Sequence, residues 1–154
     1  MNHDNTELEH LFCGQWLADL ANFSAFVFQR LPDINWAGFY LFDGQKLILG
    51  PFCGKPACTE IKIGRGVCGT AFTKKKTLLV SDVHEFPGHI ACDSASRSEM
   101  VIPLIKNGAA FGVFDLDSPS LNRFSEMDQK AVEKWVSFLM EKIESKIIQS
   151  RPWA

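Results

Sequence analysis

The chain has 154 residues, 46% of them hydrophobic, with a formal net charge of −2 and a pI near 6.1. That composition fits one globular domain over 1–154 with a full-sized core, and its slight acidity argues against a nucleic-acid or anionic-membrane partner. No apolar run approaches the ~18 residues of a membrane span, and the opening MNHDNTELEH is too polar and acidic for a signal or transit peptide. A soluble, cytoplasmic domain is expected.

In chain order, Leu8, Leu11, Phe12, Leu17, Leu20, Ala21 and Val27 recur at helical spacing, so one or two helices should fill about 5–30, closed by Pro32. Ile34 to Phe42 is aromatic and apolar, and Asp43-Gly44 offers a hairpin turn into a second strand over 46–52. Glu60 to Ile63 predicts a short strand. Gly64-Arg65-Gly66 then turns into a short helix over 67–75, followed by a strand over 77–80. Residues 81–98 form a long polar loop, and loops of that length inside a compact domain usually carry function. Met100–Ile105 and Ala109–Asp117 predict a hairpin across Asn107-Gly108. Ser125 with Asp128 resembles a helix cap, and Val132, Trp135, Val136, Leu139, Ile143 and Ile147 form the apolar stripe of one long C-terminal helix. The order predicts α+β: a largely antiparallel central sheet flanked by N- and C-terminal helices packed mainly on one face.

Five cysteines are distributed over this plan. Cys58, Cys68 and Cys92 lie in PACTE, GRGVCGT and HIACDSAS, among glycines and polar residues where a thiol can meet solvent or a ligand. In a cytosolic chain that placement points to redox or metal chemistry rather than a disulfide framework. A zinc site built from His84, His89, Cys58, Cys68 and Cys92 is disfavoured, because no Cys-x-x-Cys exists and the ligands scatter over 35 residues. Cys13 reads as inert helix packing, and Cys53 as a thiol of possible accessory role. Gly64-x-Gly66-x-x-Gly69 matches a dinucleotide fingerprint only formally, since the βαβ setting is missing.

Asp115 and Asp117 share one face of a strand, with Val113 and Phe111 before them on that face. Carboxylates about 7 Å apart repel unless they share a cation or titrate, so an α-ammonium, a metal ion or a solvated strand end would each account for them. Glu99 begins the partner strand. Simple pairing from Asn107-Gly108 sets it opposite Leu116 on the other face, away from the acids, unless Pro103 marks a bulge. Trp36 and Tyr40 share a face with Gly38 between them, as core or as an aromatic wall with room for a small ligand.

With NWAGFYL, LGPFCGKPAC, IGRGVCGTA, DVHEFPGHIACDSAS, SEMVIPL and GVFDLDS in place, the chain resembles the free methionine-(R)-sulfoxide reductases, stand-alone GAF-domain enzymes, from about Asn35 to the C-terminal helix. The resemblance implies a GAF-like fold and thioredoxin-linked reduction of free L-methionine (R)-S-oxide in oxidative stress repair. It implies Cys92 as the catalytic thiol, Cys58 as its resolving partner and Cys68 as a secondary thiol. Glu99, Asp115 and Asp117 become the acids that hold and activate substrate, and Trp36 and Tyr40 the aromatics around its methyl-sulfoxide end. No bound cofactor or metal is implied; thioredoxin is the external reductant, and a homodimer is common for such domains. His89 and Arg97 are the local cations that would lower the Cys92 pKa, helped by a helical turn after Cys92. The main rival is a sensory module that binds a small ligand and signals through a partner. A thiol switch that only reports oxidants is the third reading.

Overall fold

The computed structural model describes residues 2–90 and 92–154; Met1 and Ala91, each within a quoted motif, lie outside them. Helices α1 (Asn2–Leu11) and α2 (Trp16–Arg30) lead into β1 (Trp36–Phe42), β2 (Lys46–Gly54) and β3 (Glu60–Lys62). Helix α3 (Gly66–Lys74), β4 (Leu78–Val80), β5 (Ser98–Lys106), β6 (Ala109–Ser118), α4 (Glu126–Lys142) and α5 (Ser145–Ser150) follow. Among the described residues, six strands make one antiparallel sheet in the order β3-β2-β1-β6-β5-β4. The α+β architecture therefore stands as the sequence predicts.

Alternation along the central strands divides the sheet into two faces. On one, Ala37, Phe39, Leu41, Met100, Ile102, Leu104, Phe114 and Leu116 meet α2 and α4 in the larger core. At its centre Phe114 stacks obliquely on Phe39 at 4.7 Å and edge-on against Phe23 at 4.9 Å. On the other face, Trp36, Tyr40, Leu47, Val101 and Val113 pack under α3 through Val67, Cys68 and Ala71. Gly69 lets α3 come close, since a Cβ there would stand 2.6 Å from the Lys62 carbonyl oxygen.

Several expectations change in detail. Leu17 and Ala21 are exposed, and Phe23 and Phe26 fill the α2 stripe instead, because α2 begins only at Trp16. Cys13 sits in the α1–α2 connection, exposed, where its N–H donates to Asp19 Oδ1 at 2.8 Å. The long C-terminal helix breaks at Ile143, whose ψ of 118° is extended. The Lys106 ammonium reaches in from β5 and satisfies the freed ends, donating to the carbonyls of Met140 and Ile143. Ser125 and Asp128 form the expected reciprocal cap of α4.

The decisive difference is in the β5–β6 hairpin. Lys106 pairs with Ala109 and Ile105 with Ala110, but Leu104 pairs with Gly112. Phe111 is thus an extra residue, a β-bulge that turns its own side chain into the larger core. Beyond it the register is shifted by one, so Glu99 faces Asp117 rather than Leu116. Pro103 pairs regularly with Val113 and is not the bulge. It is tolerated because β4 pairs only with Glu99 to Val101, leaving that edge of β5 open.

Candidate functional site

The smaller core opens into a pocket whose lining includes Trp36, Tyr40, Arg65, Cys68, His89, Cys92, Glu99, Asp115 and Asp117. Its narrow interior is about 40 Å³, room for a few water molecules. The bulge at Phe111 makes this possible, because it returns Glu99 to the face that already carries Asp115 and Asp117. Val101 faces Asp115 across the strands, and Asp117 faces Trp36 on β1.

Three carboxyl groups brought together out of water cannot all ionise. Burial, then the neighbouring charges of Asp115 and Asp117, pushes the Glu99 carboxyl well above its ordinary range. Asp117 is pushed up likewise, first by burial and then by Asp115 and Asp93. Burial lifts Asp115 to about 6, the most acidic of the set. The Cys68 thiol, 3.9 Å from Glu99 Oε1, is raised well above its usual value by burial and by the charges of Asp115, Glu99 and Asp117. Cys68 is therefore a buried, protonated thiol in α3, not the solvent-facing one its glycine-rich surroundings suggest.

The aromatic wall holds structure as well as space. Trp36 stacks on Phe52 at 5.2 Å and on Tyr40 at 5.9 Å. Its Nε1–H donates to the Lys55 carbonyl at 3.1 Å, and the Tyr40 hydroxyl to the Cys58 carbonyl at 2.9 Å. These two bonds fix the segment that carries Cys58. Gly38 does not leave room for a ligand: a Cβ there would lie 2.3 Å from Phe52 Cβ and 2.7 Å from the Trp36 ring, so Trp36 and Phe52 use that space.

Cys58 and Cys92 are joined as a disulfide, with their Cα atoms 5.4 Å apart. Cys53, by contrast, is paired across the strands with Ala37, a residue of the larger core, so it faces α2. Its position removes it as a rival partner for Cys92. The loop around Cys92 is anchored on its C-terminal side. Asn35 Nδ2 donates to Asp93 Oδ2 and Ser96 Oγ, both at 3.3 Å, and the Arg97 N–H donates to the Ser118 carbonyl at 2.7 Å. The described residues 92–97 form no helical turn; Asp93 accepts from the Ala95 and Ser96 N–H groups in a tight turn instead.

Arg97 does not line the pocket, whereas Arg65 does, at the N-cap of α3. Arg65 and Asn35 are the residues the sequence reading missed. Their signal was present in IGRGVCGTA and NWAGFYL, as polar side chains flanking buried aromatic and cysteine positions. His89 lines the pocket as expected, but burial and the nearby His84 favour its neutral form. Gly64 and Gly66 take φ of 76° and 63°, so these glycines shape the turn into α3.

A GAF domain model matches residues 18–137. The free methionine-R-sulfoxide reductase of Escherichia coli K12 is 48% identical over 137 residues, covering 88% of this chain and 83% of that protein. The chain belongs to the free methionine-(R)-sulfoxide reductases, enzymes of the GAF-domain family. Solved members of the family agree in fold. The fRMsr of Staphylococcus aureus, in a complex with substrate, superposes with a TM-score of 0.87 at 41% identity, covering 93% of this chain and 95% of that one. The Neisseria meningitidis free methionine-R-sulfoxide reductase, in complex with its substrate, gives 0.85 at 40% identity over 92% of this chain and 84% of that one.

Proposed function

We propose that this chain reduces free L-methionine (R)-S-oxide to L-methionine in this pocket, with Cys92 as nucleophile and Cys58 as resolving thiol. The observation that carries the reading is the Cys58–Cys92 bond, whose Cys92 lines a pocket together with the buried Glu99 and Asp115 and the half-buried Asp117. With the disulfide reduced, the Cys92 thiolate attacks the sulfoxide sulfur while a carboxyl group protonates the departing oxygen. That oxygen ends on Cys92 as a sulfenic acid and methionine is released. The Cys58 thiol then displaces it as water, closing the disulfide, and thioredoxin supplies the two electrons and two protons that reopen it.

Each acid has a distinct part. Glu99 and Asp117, whose carboxyl groups burial and neighbouring acids push well above their ordinary range, are suited to donate the proton. Asp115 is suited to face the α-ammonium group, which a peptide-bound methionine sulfoxide lacks. Trp36 and Tyr40 enclose the methyl-sulfoxide end, and Cys68 stands in reserve as a secondary thiol. A cytoplasmic setting belongs to the same reading. A homodimer is the expected assembly.

The test is NADPH consumption with thioredoxin, thioredoxin reductase and free methionine (R)-sulfoxide, for wild type and Cys92→Ser. Turnover abolished by the substitution is the expected result. Absent turnover with reduced, folded wild-type protein would leave the sensory-module reading, and turnover surviving in Cys92→Ser would move the nucleophile elsewhere. Turnover should also fall as pH rises through the pKa of the proton donor. Glu99→Gln or Asp117→Asn should remove that dependence; if neither alters the profile, the acid assignment is wrong.

A further inference from the structure

Cys68 has no required step in this scheme, yet it lies among groups that suit another ligand. One donor atom from each of Cys68, Glu99 and Asp115 falls within 4.8 Å of the other two. The Cys68 Sγ to Glu99 Oε1 separation is 3.9 Å. Around a tetrahedral zinc ion, bonds near 2.3 Å to sulfur and 2.0 Å to oxygen set those atoms about 3.5 Å apart, so this pair needs only a slight contraction. A separate observation points the same way: Asp115, 5% exposed, has a buried Oδ1 with no hydrogen-bond partner among the described residues.

We propose that Cys68, Glu99 and Asp115 bind one thiophilic divalent cation, zinc or cadmium. A sulfur ligand beside two carboxylates selects such borderline or soft ions over magnesium or calcium, whose preferred ligands are oxygen alone. The small cavity accommodates an ion and a water to complete its coordination. Binding displaces the Cys68 thiol proton and the Glu99 carboxyl proton to solvent and forms the metal–sulfur and metal–oxygen bonds, with no change of oxidation state. The ion is not a cofactor here: it neutralises the acids that the proposed reaction uses. Because Cys68 lies outside the Cys58–Cys92 pair, the site persists when that disulfide is closed.

The test uses the full chain with its disulfide closed, titrated with cadmium chloride while the thiolate-to-cadmium charge-transfer absorption is followed. A Cys13→Ser/Cys53→Ser variant leaves Cys68 as the single free thiol. Wild type and that variant should bind one equivalent alike, Cys68→Ser should show no band, and Asp115→Asn should bind at least tenfold more weakly. No band in wild type, a band surviving in Cys68→Ser, or a band lost with Cys13 and Cys53 would overturn the proposal. Should Cys68→Ser fail to fold, Asp115→Asn decides, since it keeps the thiol: unchanged affinity there refutes the site. Turnover is not measured, so the outcome is independent of the reductase reading.

Discussion

The two faces of the sheet are built from the same strands and do opposite things. Along β6, Phe114 and Leu116 enter a dry core against α2 and α4, while Asp115 between them is buried just as deeply without a hydrogen-bond partner for its Oδ1. The first face is closed by aromatic and aliphatic contact, which gains free energy on burial. The second holds polar groups whose burial costs free energy and whose protons are consequently held more tightly. Beyond the bulge, β6 thus carries apolar contact at Phe114 and Leu116 and titrating carboxyl groups at Asp115 and Asp117.

The contrast can be broken most sharply at Phe114. Truncation to Ala should cost about 3–5 kcal/mol in chemical denaturation, as for large aromatic-to-Ala changes in cores. The folded fraction should keep its carboxyl titration unchanged; a displaced titration would mean that the faces are not independent. On the other face the sign reverses. Asp115 holds its proton up to about 6 in the folded chain against an ordinary 3.8, so folding takes up a proton in between. Its contribution to stability is full below about 3.8 and is lost as pH rises through about 6. Asp115→Asn should therefore flatten the fall in melting temperature over that window and stabilise the protein at pH 8 by about 3 kcal/mol at most. A steeper fall in the variant would contradict the burial argument.

Smaller effects sharpen the division. Tyr40→Phe removes the hydrogen bond to the Cys58 carbonyl, and should cost about 1 kcal/mol while slowing disulfide closure, read by quenching with a thiol reagent. Ser125→Ala removes half of the α4 capping box, far from the pocket, and should cost about 1 kcal/mol with closure unchanged. Equal effects on closure from the two variants would show that it tracks global stability rather than the local grip on Cys58.

How much of this was legible in the sequence follows from the range of each signal. Strand and helix positions, the Asn107-Gly108 turn and the α4 cap are local, and periodicity or turn chemistry reports them. The pairing of Glu99 with Asp117 is not local. It depends on one bulge, whose one local sign is Gly112 inside the strand, a signal that does not say which way the register moves. Side-chain alternation alone consequently placed Glu99 on the wrong face and Phe111 on the site face. The same limit applies to the helix break at Ile143, which a lysine from β5 completes across the sequence. Cys68 was misjudged for a related reason: glycines beside it suggested exposure, but in α3 they permit close approach to the sheet. Cys58, Cys68, Cys92, Asp115 and Asp117 stand out by their surroundings and spacing, their roles come from the resemblance, and the geometry separates Cys53 from them.

The Cys58–Cys92 bond has a consequence for the endurance of the protein. It closes a loop with a sequence separation of 34. In chain-entropy terms such a cross-link restricts the unfolded ensemble enough to favour the folded chain by about 4 kcal/mol. Thermodynamic reciprocity then requires the fold to hold the bond against reduction by the same amount, near a thousandfold in equilibrium constant. The chain is thus more stable with this bond closed than with it open, so its heat tolerance would report the redox state of the pair.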